Sequence, residues 1–564
     1  MSRIVIVDTG VDLFNPYFKN IKNLKGIAIQ KKDDLNFQIT KQDENELCIH
    51  DDVGHGSAVA GIIFSHNSNV ELFIVKMFSQ KSLTPNEDLL IFTLEYILLN
   101  VEFDILNLSL GVLAVSADDR LESVCNKYYD ANKIIVAAFE NGGSISFPAA
   151  YKNVIGVTNG DGCFRANSYY TTDNDVINIC AYGRMQKVYW KNDSQIVSAG
   201  NSYASAHFTG ILSNIENLNR QNLIQFIEKN SIGKIKINNL SITHPNPINK
   251  YKKAVAFPFN KEIHSLVRFS SELSFELVDI FDVRHSARIG ASTNALLNEE
   301  CAKNFFIKNI ETIVWDDFDT FILGHTEEYM VTPVLKKIRE DLISHILINN
   351  KNLYTFDDIN SNIDGIKKYK DNNIFFPHVN DNMKNQAPFG KLHHQDKPVV
   401  GIFGTTSRQG KFTLQLKLRY ELLHRGYNIC QLGTEPSSLL YGMDIVFPSG
   451  YNSSVDLNLY DTVAYLNKLL YKHSRHSDLI IVGGQSGLIP GAEGNLGYYN
   501  FSQLDLLYAT LPDIVILCIN SFDEIGIINR SIKFIEAATD CQVIALVLYP
   551  FCYEGSLLKY RTVS

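Results

Sequence analysis

Three residues, far apart in this 564-residue chain, have the types that nucleophilic catalysis needs. Asp8 lies in Val7-Asp8-Thr9-Gly10, His55 in Gly54-His55-Gly56-Ser57, and Ser202 in Gly200-Asn201-Ser202-Tyr203-Ala204-Ser205. A serine hydroxyl attacks a carbonyl only when a base removes its proton. An imidazole can take that proton and return it to a leaving amine, while a carboxylate behind it fixes the tautomer and stabilises the imidazolium. The chemistry expected is acyl transfer through Ser202, with His55 as base and acid and Asp8 orienting His55.

The surrounding residues suit that task. The apolar run Ile4-Val5-Ile6-Val7 reads as a buried strand that aims Asp8 into a site, and Gly10 lets the chain turn away. Gly54 and Gly56 let backbone pass close to His55. From Ser202 to Gly210 the residues are mostly small and helix-compatible, so Ser202 is expected at a helix N-terminus, where the dipole favours a developing oxyanion. A further buried strand, Ile134-Ile135-Val136-Ala137-Ala138, leads into Phe139-Glu140-Asn141-Gly142-Gly143.

The chain order Asp, His, Ser is that of subtilisin and differs from the chymotrypsin and α/β-hydrolase orders. With the local glycines kept at all three places, about the first 240 residues resemble the subtilisin-like serine proteases (subtilases). The resemblance implies that the Asn141 side chain donates to the oxyanion together with the Ser202 N–H. It also implies that Asn107-Leu108-Ser109-Leu110-Gly111 is the edge strand that pairs with substrate backbone. Ser109, Leu110, Gly111, Ala137 and Ala138 would then border the substrate pocket, with Ser146 near its base. His207 reads as structural. Two positions depart from the family pattern: Ala206 stands in place of a proline, and Glu140 in place of a glycine beside Asn141, where a carboxylate would favour basic substrate residues.

Composition bounds the rest. Hydrophobic residues make up 45% and charged residues 20%, as in ordinary globular proteins. Net charge is -9 with no long basic run, so no nucleic-acid partner is expected, and no apolar run approaches a membrane span. The sequence passes from Met1-Ser2-Arg3 straight into a strand, which leads us to expect no signal peptide, no propeptide and a cytoplasmic location. Nine scattered cysteines without a Cys-x-x-Cys pair argue against zinc and against a disulfide framework.

The fold expected is α/β: a subtilisin-like parallel-sheet domain over 1–245, followed by two doubly wound domains of Rossmann and P-loop type. The first of these, 250–375, opens with Lys253-Ala254-Val255-Ala256-Phe257 and continues with strands near 275–280 and 318–324 and a helix over 334–348. A linker over 376–396 carries His378, His393 and His394, which read as solvated rather than metal-binding. The last domain, 397–564, opens with Pro398-Val399-Val400-Gly401-Ile402-Phe403 and then Gly404-Thr405-Thr406-Ser407-Arg408-Gln409-Gly410-Lys411-Phe412-Thr413. Strand, glycine turn, Gly-Lys and helix form a phosphate cradle, with Gly404, Gly410, Lys411 and Thr413 as its binding residues. The spacing departs from the standard P-loop pattern, because five residues separate the glycines and Thr413 falls one place late.

This segment resembles P-loops of the dethiobiotin-synthetase type and, more closely, the DUF1611 class. Gln431-Leu432-Gly433-Thr434-Glu435-Pro436 and Asp478-Leu479-Ile480-Ile481-Val482-Gly483-Gly484-Gln485 match that class as well. A glutamate usual in the class is replaced by Gly483, which puts metal binding and hydrolysis in question. Glu435 and Asp456 are candidate magnesium ligands, and ATP or GTP is the candidate cofactor; proteolysis itself needs none. Residues 250–564 together resemble the peptide maturation system proteins. The expected substrate is therefore a ribosomally made precursor peptide that loses its leader, with the C-terminal half recruiting it or gating the protease. The chain can equally be an oligomer. Two alternatives stay open: a general turnover or defence protease regulated by nucleotide, and a principal activity in the P-loop half.

Overall fold

The structure is a computed structural model. It describes residues 2–560 except 22, 33–35, 81–85, 117, 161, 174–175, 177, 217, 236–246, 327–331, 360–373, 380–389, 451–452, 491–498, 550 and 555–556. The expected boundary at 245 and residues 380–389 of the expected linker lie outside the described residues. The chain forms two compact units, one of residues 1–240 with 385–396, the other of 241–384 with 397–564.

In unit 1 the strands β1 (Ser2–Asp8), β2 (Leu24–Lys31), β3 (Phe37–Lys41), β4 (Val70–Lys76), β5 (Ile105–Leu108), β6 (Ile134–Ala138), β7 (Ser144–Ile145), β8 (Ile155–Asn159), β9 (Tyr169–Thr172), β10 (Ile179–Ala181), β11 (Gln186–Trp190), β12 (Ser194–Ser198) and β13 (Lys234–Ile235) alternate with α1 (His55–His66), α2 (Glu87–Asn100), α3 (Arg120–Asp130), α4 (Asn201–Leu212) and α5 (Arg220–Asn230). Ten of the strands form one sheet in the order β13-β9-β10-β8-β6-β5-β1-β4-β2-β3, parallel except for the β2–β3 and β9–β10 pairs. The last five residues of β1 and all of β5 and β6 are buried, as mostly Ile/Val/Leu/Ala strands covered on both faces should be, with Asp8 and Asn107 the two polar members. Strand order reverses between β1 and β5, and the carboxyl ends of strands at such a reversal are where open α/β sheets hold their sites. Asp8 ends β1, and Ser109 follows β5.

Two central helices complete the scaffold. Every residue of α4 except Ile211 is buried. Its small residues let it approach neighbours closely: a Cβ on Gly210 would stand 2.7 Å from the His66 ring. Ala58, Val59 and Ile63 of α1 join Ala204, Ala206 and Phe208 of α4 in one core with Ile4 and Ile6. This core positions the site, because α1 begins at His55 and α4 begins one residue before Ser202.

Unit 2 holds two parallel sheets. The first contains β14 (Lys253–Phe257), β15 (Glu276–Asp282), β16 (Lys308–Asn309), β17 (Thr320–Leu323), β18 (Asn352–Thr355) and β19 (Ile374–Phe375), with α6 (Lys261–Arg268), α7 (Thr293–Leu297) and α8 (Pro333–Ile348). Its order, β16-β15-β14-β17-β18-β19, is the doubly wound 3-2-1-4-5-6 of Rossmann folds. After it the chain visits unit 1 through β20 (Leu392–His393), then forms β21 (Val399–Gly404), α9 (Lys411–His424), β22 (Ile429–Gly433), β23 (Ile445–Val446), α10 (Leu459–Ser474), β24 (Leu479–Gly487), α11 (Phe501–Thr510), β25 (Ile514–Asn520), α12 (Ile525–Thr539) and β26 (Gln542–Tyr549). The order of the second sheet is β23-β22-β24-β21-β25-β26, with the P-loop strand β21 near its middle. Ile263, Tyr354 and Phe356 share a core with Leu416, Leu439 and Tyr441, and the Tyr354 hydroxyl donates to the Pro436 carbonyl at 2.6 Å.

Two expectations differ from this structure. Residues 109–111 are not an edge strand: β5 lies inside the sheet, and Ser109-Leu110-Gly111 runs on beyond its last paired residue. The described end of the expected linker, 390–396, is not a solvated spacer, because Leu392–His393 pairs with Ser144–Ile145 in unit 1.

Candidate active site

The chain brings Asp8 and His55 together. His55 Nδ1 lies 2.8 Å from Asp8 Oδ1 and 3.0 Å from Oδ2, and Asp8 is 2% exposed. Burial favours the neutral imidazole, but the Asp8 charge and hydrogen bond, with a contribution from Asp51, outweigh it and raise the His55 pKa. The Thr9 N–H donates to Asp8 Oδ1 at 2.7 Å and holds the carboxylate in place.

Asp51 is the residue that the sequence reading missed here. It is fully buried and accepts from the Thr9 hydroxyl, the Val53, Gly54 and Ser57 N–H groups and the Ser57 hydroxyl, at 2.7–3.0 Å. It thus clamps the turn that presents His55 to the end of β1. Thr9 Oγ1 also accepts from the Gly56 N–H at 2.8 Å. That approach explains Gly56, since a Cβ there would stand 2.2 Å from the Gly10 carbonyl oxygen. Asp51 stands four residues before His55 in Asp51-Asp52-Val53-Gly54, a turn-like signal that did not reveal its partners.

Ser202 lies in the first turn of α4, and its hydroxyl donates to the Ser109 carbonyl at 3.1 Å. Among the described residues no hydrogen bond joins it to His55. Catalytic hydrogen bonds often tighten only once substrate is bound, so the absence of this bond does not rule Ser202 out as the nucleophile. The Asn141 side chain is positioned at the other side of α4's start. Its Oδ1 accepts from the Asn201 N–H at 2.8 Å, which leaves the Nδ2 donors for another acceptor. Asn201, also unforeseen, ties the ends of β8 and β6 to the start of α4: its Oδ1 accepts from the Asn159 N–H at 2.7 Å, and its Nδ2 donates to the Glu140 carbonyl at 3.0 Å.

The expected pocket residues cluster here too. Ala137 and Ala138 end β6, and Ser109 is 8% and Leu110 9% exposed just beyond β5. Ser146 is fully buried, accepts from the Glu140 N–H at 2.9 Å, and leaves no room for a Cβ on Gly111, which would stand 2.7 Å from its oxygen. His207 is structural, as expected. Its ring joins His66 and Gln186 at 2.8 Å each, and burial lowers its pKa to about 3, so it stays neutral.

The P-loop residues form a second constellation. Gly404 ends β21, Gly410 caps α9 with φ 73°, and Lys411 is 4% exposed with its Nζ donating to the Thr406 carbonyl. Burial pushes the Lys411 pKa down to about 8. Asp523 braces the loop: it accepts from the Thr405 hydroxyl, from Gln409 Nε2 at 3.1 Å and from the Asn520 N–H at 2.8 Å. A side chain on Gly483 would collide with the Gln415 side chain. Of the two carboxylates expected to serve magnesium, Glu435 is pushed up by burial against the lowering Lys261 and His325 charges, and itself acts on Lys411. Asp456 is exposed, its N–H donating to the Val379 carbonyl. Thr413 lies in the first turn of α9.

Comparison with known proteins agrees with these two constellations. Residues 2–239 match the Subtilase family, and residues 387–548 match the P-loop domain of unknown function DUF1611. The Minor extracellular protease Epr of Bacillus subtilis (strain 168) is 30% identical over 169 residues, covering 28% of this chain and 25% of that relative. The chain therefore spans about a quarter of the length of this curated relative. Among solved structures, the prenylagaramide maturation protease PagA is 20% identical, with 41% of this chain and 77% of that one covered and a TM-score of 0.29. A serine-to-alanine mutant of the protease domain of PatA is 22% identical, with 38% and 78% covered and a TM-score of 0.30. A DUF1611 family protein from Anabaena variabilis is 14% identical, with 53% and 87% covered and a TM-score of 0.39. This chain joins a subtilase domain over residues 2–239 to a DUF1611 P-loop domain over residues 387–548.

Proposed function

We propose that the chain is a cytoplasmic serine endopeptidase that removes the leader from a ribosomally made, modified precursor peptide, and that its P-loop half recruits the peptide or gates the cut. The observation that carries the protease reading is the convergence at one switch point of the 2.8 Å Asp8–His55 contact, Ser202 in the first turn of α4 and the Asn201-held Asn141 amide. The eight described cysteines are free thiols, which suits a reducing compartment, and among the described residues no helix is long and apolar enough to cross a membrane.

In this mechanism an extended peptide lies along Ser109-Leu110-Gly111, and a substrate N–H takes over the Ser109 carbonyl that the Ser202 hydroxyl occupies in its absence. Ser202 turns to His55 Nε2, gives up its proton there, and its Oγ bonds to the scissile carbonyl carbon. The oxyanion receives the Asn141 Nδ2–H and the Ser202 N–H. Collapse breaks the C–N bond as His55 returns the proton to the leaving amine. Water, activated by His55, then releases the acyl group and restores Ser202.

For the P-loop half, the α9 N-terminus and the buried Lys411 fit an anionic phosphate. Gly404, Gly410 and Lys411 would hold the phosphates of ATP or GTP, with Thr413 and Glu435 as candidate magnesium ligands. The nucleotide would supply binding energy for a conformational response. Gly483, standing where the class usually has a glutamate, argues for binding over hydrolysis.

The test is active-site labelling. The full chain is treated with a fluorophosphonate probe and its intact mass read, beside Ser202→Ala, with and without ATP and magnesium. One probe added to the wild type only is expected. No labelling under any condition, or equal labelling of the variant, overturns the assignment of Ser202.

A further inference from the structure

The strap formed by residues 390–396 reaches unit 1 at the loop that carries Asn141. Its Leu392–His393 pairs in parallel with Ser144–Ile145, three to four residues after Asn141. Lys391, just before that pairing, is 7% exposed, and its Nζ lies 5.6 Å from the centroid of the Phe139 ring. A lysine is rarely buried to this degree without an opposing charge. The nearest acid in the loop is Glu140, next in sequence to both Phe139 and Asn141. Its carboxylate folds onto its own loop, so that a Cβ on Gly142 would stand 2.8 Å from Oε2.

Glu140 creates an electrostatic problem for the reaction. The transition state gathers negative charge beside Asn141, and a carboxylate one residue away opposes it. We propose that Lys391 is a positioning residue of the protease site, whose ammonium offsets Glu140 and so keeps the neighbourhood of the Asn141 amide receptive to an oxyanion. The inference rests on the protease reading above. It makes a residue from the segment between the two halves, far beyond Ser202 in the chain, part of the working endopeptidase. Only a short stretch, residues 394–398, separates the strap strand from β21, the strand that carries the P-loop.

The titration behaviour agrees with this geometry. Burial lowers the Lys391 pKa, while Glu140 from the Asn141 loop and the Cys180 thiol from β10 act in the opposite direction. The ammonium is therefore lost at lower pH than in an ordinary lysine, and turnover falls with it on the alkaline side.

The test uses the full chain and a peptide substrate, with kcat and KM measured separately for Lys391→Met, Lys391→Arg, Glu140→Gln and the Lys391→Met/Glu140→Gln double variant. Lys391→Met should lower kcat by about ten- to a hundredfold, of the order of one nearby charge in a partly buried site, with KM changed only a few-fold. Lys391→Arg should recover most of that loss. The double variant should return to within about threefold of Glu140→Gln, because removing the carboxylate removes the need for the ammonium. A loss that persists in the double variant means the strap acts by packing alone and overturns the proposal, as does an unchanged kcat in Lys391→Met. Should Lys391→Met fail to fold, the alkaline limb decides: the fall in turnover that loss of the Lys391 ammonium causes must disappear in Glu140→Gln, because without the carboxylate the ammonium is no longer needed, and an alkaline limb unchanged from wild type refutes the role. Fluorophosphonate labelling of each variant separates this result from a failure of the protease reading, since the wild type must label whether or not Lys391 matters.

Discussion

Replacing Asn141 with alanine isolates one interaction of the proposed mechanism. The Asn201 N–H holds Asn141 Oδ1 at 2.8 Å, and among the described residues no hydrogen bond claims the Nδ2 donors. The amide is therefore preorganised, and it loses no competing bond when the oxyanion forms. Asn141 is exposed, so its truncation opens no cavity and leaves the Asn201 N–H within reach of water. The stability cost should be below about 1 kcal/mol. The kinetic cost should be far larger: one oxyanion donor, in the figure established on subtilisin, contributes about 2.7–4 kcal/mol, or roughly 10²–10³ in kcat. Because the contact strengthens in the transition state, kcat should carry nearly all of the loss and KM little. The assay is initial-rate hydrolysis of a fluorogenic peptide by the full chain, with Ser202→Ala as background and a thermal melt as folding control. A kcat within about threefold of wild type in a folded variant, or a loss lying wholly in KM, would refute the placing of Asn141 in the oxyanion hole.

Three other expectations follow from the geometry. Proteolysis needs a neutral His55, and Asp8 and Asp51 raise its pKa, so the acidic limb of kcat/KM should lie above the ordinary histidine value of about 6.5; a pH–rate profile with half-activity below that value would contradict the Asp8–His55 contact. Asp51→Asn turns an amide donor toward a site that receives five hydrogen bonds, and should destabilise unit 1 by about 3 kcal/mol or more; a shift in the denaturation midpoint of the subtilase domain measures it, and an unchanged midpoint argues that Asp51 does not clamp the His55 turn. Lys411→Ala should abolish binding of a fluorescent ATP analogue while leaving fluorophosphonate labelling of Ser202 without nucleotide intact, and retained binding would remove Lys411 from the phosphate site.

Where unit 1 places Asp8, His55 and Ser202 was legible in the sequence because a catalytic role constrains residue type and neighbours locally. Asp8 must end a strand, Ser202 must begin a helix, and glycine must stand where backbone crowds His55; each demand is met within a few residues. The helix begins at Asn201 and the strand ends at Asp8, as the apolar runs and small residues dictated. The P-loop was readable for the same reason, as a strand, a turn and a helix consecutive in the chain.

What tertiary structure alone decided are the partnerships across long separations. Asp51 gains its role from Thr9, 42 positions away, and Asn201 from Glu140, 61 positions away, and nothing in the local pattern of either residue encodes the other. The supposed edge strand at Ser109 lies past the end of an internal strand because β1 and β6 flank β5, an ordering fixed by sheet assembly rather than by the run itself. The strap 390–396 is the clearest case. Its composition reads as a polar linker, since two paired residues and one buried lysine leave no periodic trace, and only the folded chain places Lys391 over Phe139.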